Sequence, residues 1–270
     1  MPADPLLLAS ITDVTVSARD HCVVSGSHGG LYPAAVASQG ELRCVVFNDA
    51  GIGLDQAGVA GVLALADTGM AAAAVDCHSA LIGSARDMLD RGRISVANDT
   101  ARTLGVQRGQ SVAQALEFLR AAPAPHGRLP VPLEARRRVQ LDGSGLHVLL
   151  VDSASLVRPE DGGRIIISGS HGALVGGDPE RALKARARIA AFNDAGFEDR
   201  DMVNSRLPAL ETRGVAAVLV ACSSARIGDA FSTLDTGVIS HVNDLAAHSG
   251  ARTGVRLKDW LESLRPRVSI

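Results

Sequence analysis

The feature that most constrains this chain is that it repeats itself. Ser25-Gly26-Ser27-His28-Gly29 returns as Ser168-Gly169-Ser170-His171-Gly172, and Phe47-Asn48-Asp49-Ala50-Gly51 returns as Phe192-Asn193-Asp194-Ala195-Gly196. Gly69 matches Gly214, Cys77-His78-Ser79-Ala80 matches Cys222-Ser223-Ser224-Ala225, and Ile94 to Asp99 matches Ile239 to Asp244. The offset is 143 residues at the first match and 145 at the other four. Ordered matches at a nearly constant offset are the mark of a duplicated structural unit. The expectation is an internally duplicated chain, with a first repeat over 1–120, a Pro-rich linker over 121–140 and a second repeat over 141–270. Pro123, Pro125, Pro130 and Pro132 favour an extended connection, and Arg136-Arg137-Arg138 reads as a solvated charged face.

Within each copy short apolar runs alternate with helix-like segments. In the first, Cys22–Val24, Cys44–Phe47, Ala71–Asp76 and Ile94–Ala97 read as strands, with a further one within 7–16. Residues 32–39, 55–68, 83–91, 99–104 and 111–120 read as helical, and Gly69 stands where a C-cap belongs. This alternation predicts the α/β class: two pseudo-twofold-related halves, each a mainly parallel, doubly wound sheet flanked by helices. Ligands of such sheets bind beyond the carboxyl ends of the strands, and the four polar motifs are all expected there.

Composition removes several function classes. The net charge is −2 and aromatics are 3%, so neither a basic footprint nor a base-stacking surface for nucleic acid is expected. No apolar run approaches the roughly 18–20 residues of a membrane span, and Leu6-Leu7-Leu8 lacks the basic flank of a signal peptide. Cys22, Cys44, Cys77 and Cys222 show no CxxC spacing, which argues against a disulfide framework or structural zinc and favours a cytoplasmic setting. No phosphate-binding glycine loop and no metal-ligand spacing is present, so the expectation is neither cofactor nor metal.

The candidate chemistry lies in the repeated motifs. His28 and His171 are candidate bases, Asp49 and Asp194 orienting carboxylates, and Cys77, Cys222 and Ser224 nucleophiles beside helix starts. Ser25, Ser27, Gly29, Ser168 and Ser170 are small enough to let backbone approach a substrate. Asn48, Asn193, Asn98 and Asn243 could bind polar groups or cap helices. Arg226, without a charged counterpart in the first copy, could clamp a carboxylate or pair with Asp229 at i, i+3.

Two resemblances follow from these residues. Ser27-His28-Gly29 followed by Asp76-Cys77-His78 looks like the Cys–His arrangement of caspase-like hydrolases. A duplicated α/β chain with Cys77 in one half and Cys222 in the other resembles the cofactor-independent aspartate/glutamate racemase group in architecture, which implies two-cysteine chemistry; that group's Asn-Thr and Gly-Cys-Thr-His contexts are absent. The expected function is a cofactor-independent enzyme acting on a small polar carboxylate- or amide-bearing metabolite, with C–N bond hydrolysis favoured. A two-cysteine racemase or isomerase and a non-catalytic small-molecule-binding protein are the alternatives. The expected partner is a small molecule, with no nucleic acid or membrane, and a homo-oligomer is compatible with this reading.

Overall fold

The computed structural model describes residues 4–264, and the chain divides into two compact units. Unit 1 is the chain up to Leu133 together with the short segments Val175–Gly177 and Ala195–Glu198. Unit 2 is Glu134–Leu174, Asp178–Asp194 and the chain from Asp199 onward.

Unit 1 holds a five-stranded sheet of β1 (Leu6–Leu8), β2 (Cys22–His28), β3 (Cys44–Asn48), β4 (Ala71–Val75) and β5 (Ile94–Ala97), paired in that order. The first four strands are parallel and β5 runs antiparallel to β4. Side chains alternate across a strand, so one run of residues feeds two cores. Val23, Val45, Phe47, Ala72 and Ala74 pack on the side that also buries Ala34 and Ala37 of α1 (Leu31–Gln39) and Val62 of α2 (Ala60–Ala64). Val24, Val46, Ala73 and Val75 face Met88 of α3 (Ala85–Arg91), Ala101 of α4 (Asp99–Leu104) and Leu116 of α5 (Val112–Leu119). Both faces are therefore covered, which is why β3 and β4 are buried from end to end.

Unit 2 holds a six-stranded sheet of β6 (Arg136–Gln140), β7 (His147–Val151), β8 (Ile165–His171), β9 (Ile189–Asn193), β10 (Ala216–Val220) and β11 (Ile239–Val242), again paired sequentially. The pairs from β7 to β10 are parallel; β6 and β11 are antiparallel edges. One face carries α7 (Ala230–Asp235), α8 (Asp244–His248) and α9 (Leu257–Ser263), whose Leu234, Ala246 and Trp260 join Leu150, Ile167, Ala191 and Val218 in one core. α6 (Arg206–Thr212) packs on β10.

The structure departs from the sequence expectations in four places. Among the described residues neither sheet reverses its strand order, so neither has the switch point of a doubly wound sheet. The strand expected within 7–16 is only Leu6–Leu8, because the Ser10 hydroxyl caps a 3-10 turn at Ile11–Asp13. The helix expected over 55–68 breaks into a 3-10 turn, the short α2 and a second 3-10 turn. Asp55 and Gln56 adopt left-handed backbone at φ 54° and 56°, which ends the first turn before α2 begins. The last part of 121–140 is a strand, with Arg136 donating to the buried Asp161 carboxylate at 2.9 and 3.0 Å, while Arg137 and Arg138 stay exposed as expected.

Candidate functional site

The adjacent ends of β3 and β4 build the site in unit 1. β3 ends at Asn48, whose buried side chain joins two loops: its Oδ1 accepts from the Ala50 amide at 2.9 Å and its Nδ2 donates to the Ala80 carbonyl at 3.2 Å. Those bonds hold Ala50 at φ 50° and Gly51 at φ 71°. A left-handed alanine is a costly conformation, kept only where surrounding contacts over-determine it. The turn sets the Asp49 carboxylate, which accepts from the amides of Gly51 and Cys77, each at 3.0 Å. Burial pushes the Asp49 carboxyl above its ordinary range, against those hydrogen bonds, and the nearby Asp76 charge adds to the rise.

β4 leads into Asp76-Cys77-His78. Cys77 Sγ, a ring nitrogen of His78 and a carboxylate oxygen of Asp76 all lie within 4.8 Å of one another. His78 Nδ1 stands 3.2 Å from Glu198 Oε1, and the Cys77 thiol points at the Gly196 carbonyl at 3.9 Å, both partners belonging to unit 1. The turn consumes its own amides: His78 N–H donates to Asp76 Oδ1 and Ser79 N–H to the Asp76 carbonyl. The Ser79 hydroxyl donates to the Asp76 carbonyl and accepts from the Arg93 amide. Among the described residues, Asp76, Cys77 and His78 are also the group close enough together to hold a metal ion, through one oxygen, one sulfur and one nitrogen.

His28 does not join the cysteine. Its Nδ1 accepts from the Gly30 amide at 3.1 Å, so the neutral ring carries its proton on Nε2. β2 and β4 flank β3, which sets the backbones of His28 and Cys77 about 10 Å apart. Burial pushes the His28 pKa down from 6.5 to about 4. Because the unfolded chain takes up this proton first, stability is complete above pH 6.5 and falls as pH drops towards 4. We expect urea midpoints to decline across that window and His28→Gln to flatten the decline; an equal slope in both proteins would remove His28 as its cause.

The remaining sequence candidates separate into frame and site. The Ser25 and Ser168 hydroxyls accept from the amides of Ser27 and Ser170, whose own hydroxyls accept from Ile11 and Ala154. Gly29 donates to the Asn48 carbonyl, accepts from Val62 and has no room for a side chain beside Val62 and Gly58. The hydrogen bonds of these residues go to the backbone. Asn98 and Asn243 lie at the opposite end of their sheets, since β5 and β11 run backwards. Asn98 Oδ1 accepts from Ala72 and Ala101 while its Nδ2 donates to Met70; Asn243 Oδ1 likewise accepts from Ala217 and Ala246. The reason is the short α3, which starts and finishes at the carboxyl edge, so β5 begins beside Val75 and descends.

In unit 2, Asp194 accepts from the Cys222 amide at 2.9 Å and Asn193 donates to the Ala225 carbonyl at 3.0 Å. Cys222 lies between Ala221 and Ser223, with neither acid nor imidazole adjacent in sequence. The Ser224 hydroxyl donates to the Ala221 carbonyl and accepts from the Val238 amide, which fastens the turn. Arg226 turns its fork to Asp229 Oδ2 at 3.2 and 3.0 Å, so the carboxylate it holds is the chain's own. His171 is buried at the end of β8, and its carbonyl accepts from the buried Arg206. Arg206 also donates to the carbonyls of Arg181 and Ala182 and stacks 5.0 Å over the Phe192 ring. It thereby anchors a β8–β9 connection built of 3-10 turns instead of a helix. Burial lowers the Arg206 pKa to about 10, still charged at neutral pH.

Asp76, His78 and Glu198, which stand around Cys77, were not among the candidate site residues read from the sequence. The first two mark a further difference between the copies, Asp76-Cys77-His78 against Ala221-Cys222-Ser223. No family model, no curated protein and no solved structure matches this chain.

Proposed function

We propose that the protein is a thiol-dependent enzyme that hydrolyses a C–N bond in a small polar metabolite, that its units are copies of one ancestral unit, and that only unit 1 carries the chemistry. The observation that carries this reading is the clustering of Cys77 Sγ, a His78 ring nitrogen and an Asp76 oxygen within 4.8 Å. A thiol needs a neighbouring base to become a nucleophile, and a base needs a carboxylate to orient it. His78 takes the Cys77 proton, and Asp76 and Glu198 hold the imidazolium that results. The thiolate attacks the amide carbon, and the imidazolium returns the proton to the departing nitrogen. Water then releases the acyl group from sulfur. The amides of residues 77–79 are spent inside the turn, so side chains must meet the charge on the substrate oxygen. His28 Nε2–H is the donor assigned to a remote polar group of the substrate.

The test is ammonia release across a panel of small primary amides and ureides, with and without iodoacetamide. Release from at least one compound, abolished by alkylation of Cys77, is expected. Turnover that survives complete alkylation of Cys77 contradicts the reading. The same donor set favours a second reading, in which a borderline divalent ion sits on Asp76, Cys77 and His78 and activates water. Loss of turnover on chelation, restored by zinc, would select it.

A further inference from the structure

Two thiols lie at the amino end of the unit 1 sheet, away from Cys77. Cys22 opens β2 and Cys44 opens β3, and the two are direct partners in the parallel register. Register partners on neighbouring strands point to the same face about 4.8 Å apart, and both cysteines indeed pack in the core beneath α3 and α5. That backbone spacing lies inside the range of about 4.4–6.8 Å that a disulfide spans. Both are free thiols; Cys44 is fully buried and Cys22 keeps an exposed side.

Their surroundings assign them different roles. The Cys44 thiol is the register neighbour of Cys22, and the Arg120 and Arg43 guanidinium groups place positive charge near the Cys22 sulfur. Arg43 is committed elsewhere, to the carbonyls of Asp20 and Ala122. The Arg120 Nε is buried with no hydrogen-bond partner, an unspent donor in the same neighbourhood. The neighbouring Cys44 thiol and then the Arg120 and Arg43 charges push the Cys22 thiol down to about 7, while closeness to Cys22 and burial push Cys44 well up. A reachable sulfur that ionises more readily, beside a sheltered one in register with it, is the arrangement of an attacking and a resolving thiol.

We propose that Cys22 and Cys44 form a peroxide-sensitive dithiol that closes to a disulfide. The Cys22 thiolate attacks the nearer oxygen of a hydroperoxide, the O–O bond breaks, and the alkoxide or hydroxide leaves and takes a proton from water. Cys22 is then a sulfenic acid. Cys44 attacks that sulfur, the S–O bond breaks, and the Cys44 proton leaves with the hydroxyl as water. Two thiols and one hydroperoxide thus give one disulfide, one alcohol or water, and one further water. The reaction does not depend on the chemistry assigned to Cys77.

The test treats the reduced full-length protein with hydrogen peroxide, blocks remaining thiols with iodoacetamide and maps peptides by mass spectrometry. Trypsin together with an aspartate-directed protease is required, because no Lys or Arg separates Cys44 from Cys77. The expected product is a Cys22–Cys44 cross-linked peptide that dithiothreitol reverses, formed before oxidation at Cys77 or Cys222. Dimedone should label Cys22 in Cys44→Ala, and Cys44 should stay unlabelled in Cys22→Ala. Oxidation at Cys77 or Cys222 with Cys22 and Cys44 still reduced overturns the proposal, as does higher oxidation of Cys22 in the wild-type protein without the cross-link. The wild-type map decides the matter even if neither variant folds.

Discussion

Cys77→Ser is expected to lower amide turnover by about a thousandfold or more, because a hydroxyl beside the same imidazole is a far poorer nucleophile. Cys222→Ser should leave turnover within about threefold, the range of a change that touches no reacting atom. The asymmetry follows from the neighbours. Cys77 has Asp76 and His78 within 4.8 Å, whereas Cys222 has Ala221 and Ser223 beside it and Ser224 spent on the turn. Steady-state ammonia release on the amide found in the panel is the measurement. Equal losses in both variants would instead favour chemistry that needs two cysteines, as in a racemase, and solvent deuterium entering the substrate α-carbon would identify it.

Gly58→Ala is expected to destabilise the fold by about 3 kcal/mol or more, the scale of overpacking against atoms that cannot move aside. A Cβ at Gly58 would overlap the Asp49 carbonyl oxygen and stand 3.1 Å from the Ile52 carbonyl oxygen, both of them backbone. The Gly58 amide already donates to the Ile52 carbonyl, closing the stretch from Ala50 to Gln56 in which every residue but Leu54 has a positive φ. Relief of the clash must displace the Asp49 turn and with it the carboxylate that holds the Cys77 amide. Guanidinium unfolding should show the loss, and residual folded protein should turn over more slowly. A loss under about 1 kcal/mol would mean that the turn is far more compliant than its hydrogen bonds imply.

The parts of this molecule that were legible in sequence are those dictated by local chemistry. The all-apolar Ala71–Val75 reads as a strand buried on both faces, and the Gly69 position closes its helix at φ 74°, as a C-cap should. The sheets and their flanking helices followed from the alternation. Strand direction did not, because seven residues of α3 look the same whether they cross the sheet or return to the same edge. That ambiguity moved Asn98 from the expected site to the far end. The polar strand ends were found, yet their roles were not. Whether Ser27 faces a ligand or the Ile11 amide depends on a loop sixteen residues earlier. Arg206 carried no motif at all, and its burial depends on the helix missing between β8 and β9.

The central claim is that His78 activates Cys77, and it needs no substrate to be tested. Iodoacetamide alkylation of Cys77, followed peptide by peptide against pH, reports the reactive thiolate directly. The account predicts that His78→Ala slows alkylation of Cys77 at pH 7 by roughly tenfold and leaves Cys222 unchanged. An unchanged rate at Cys77, or an equal slowing at both cysteines, would contradict it.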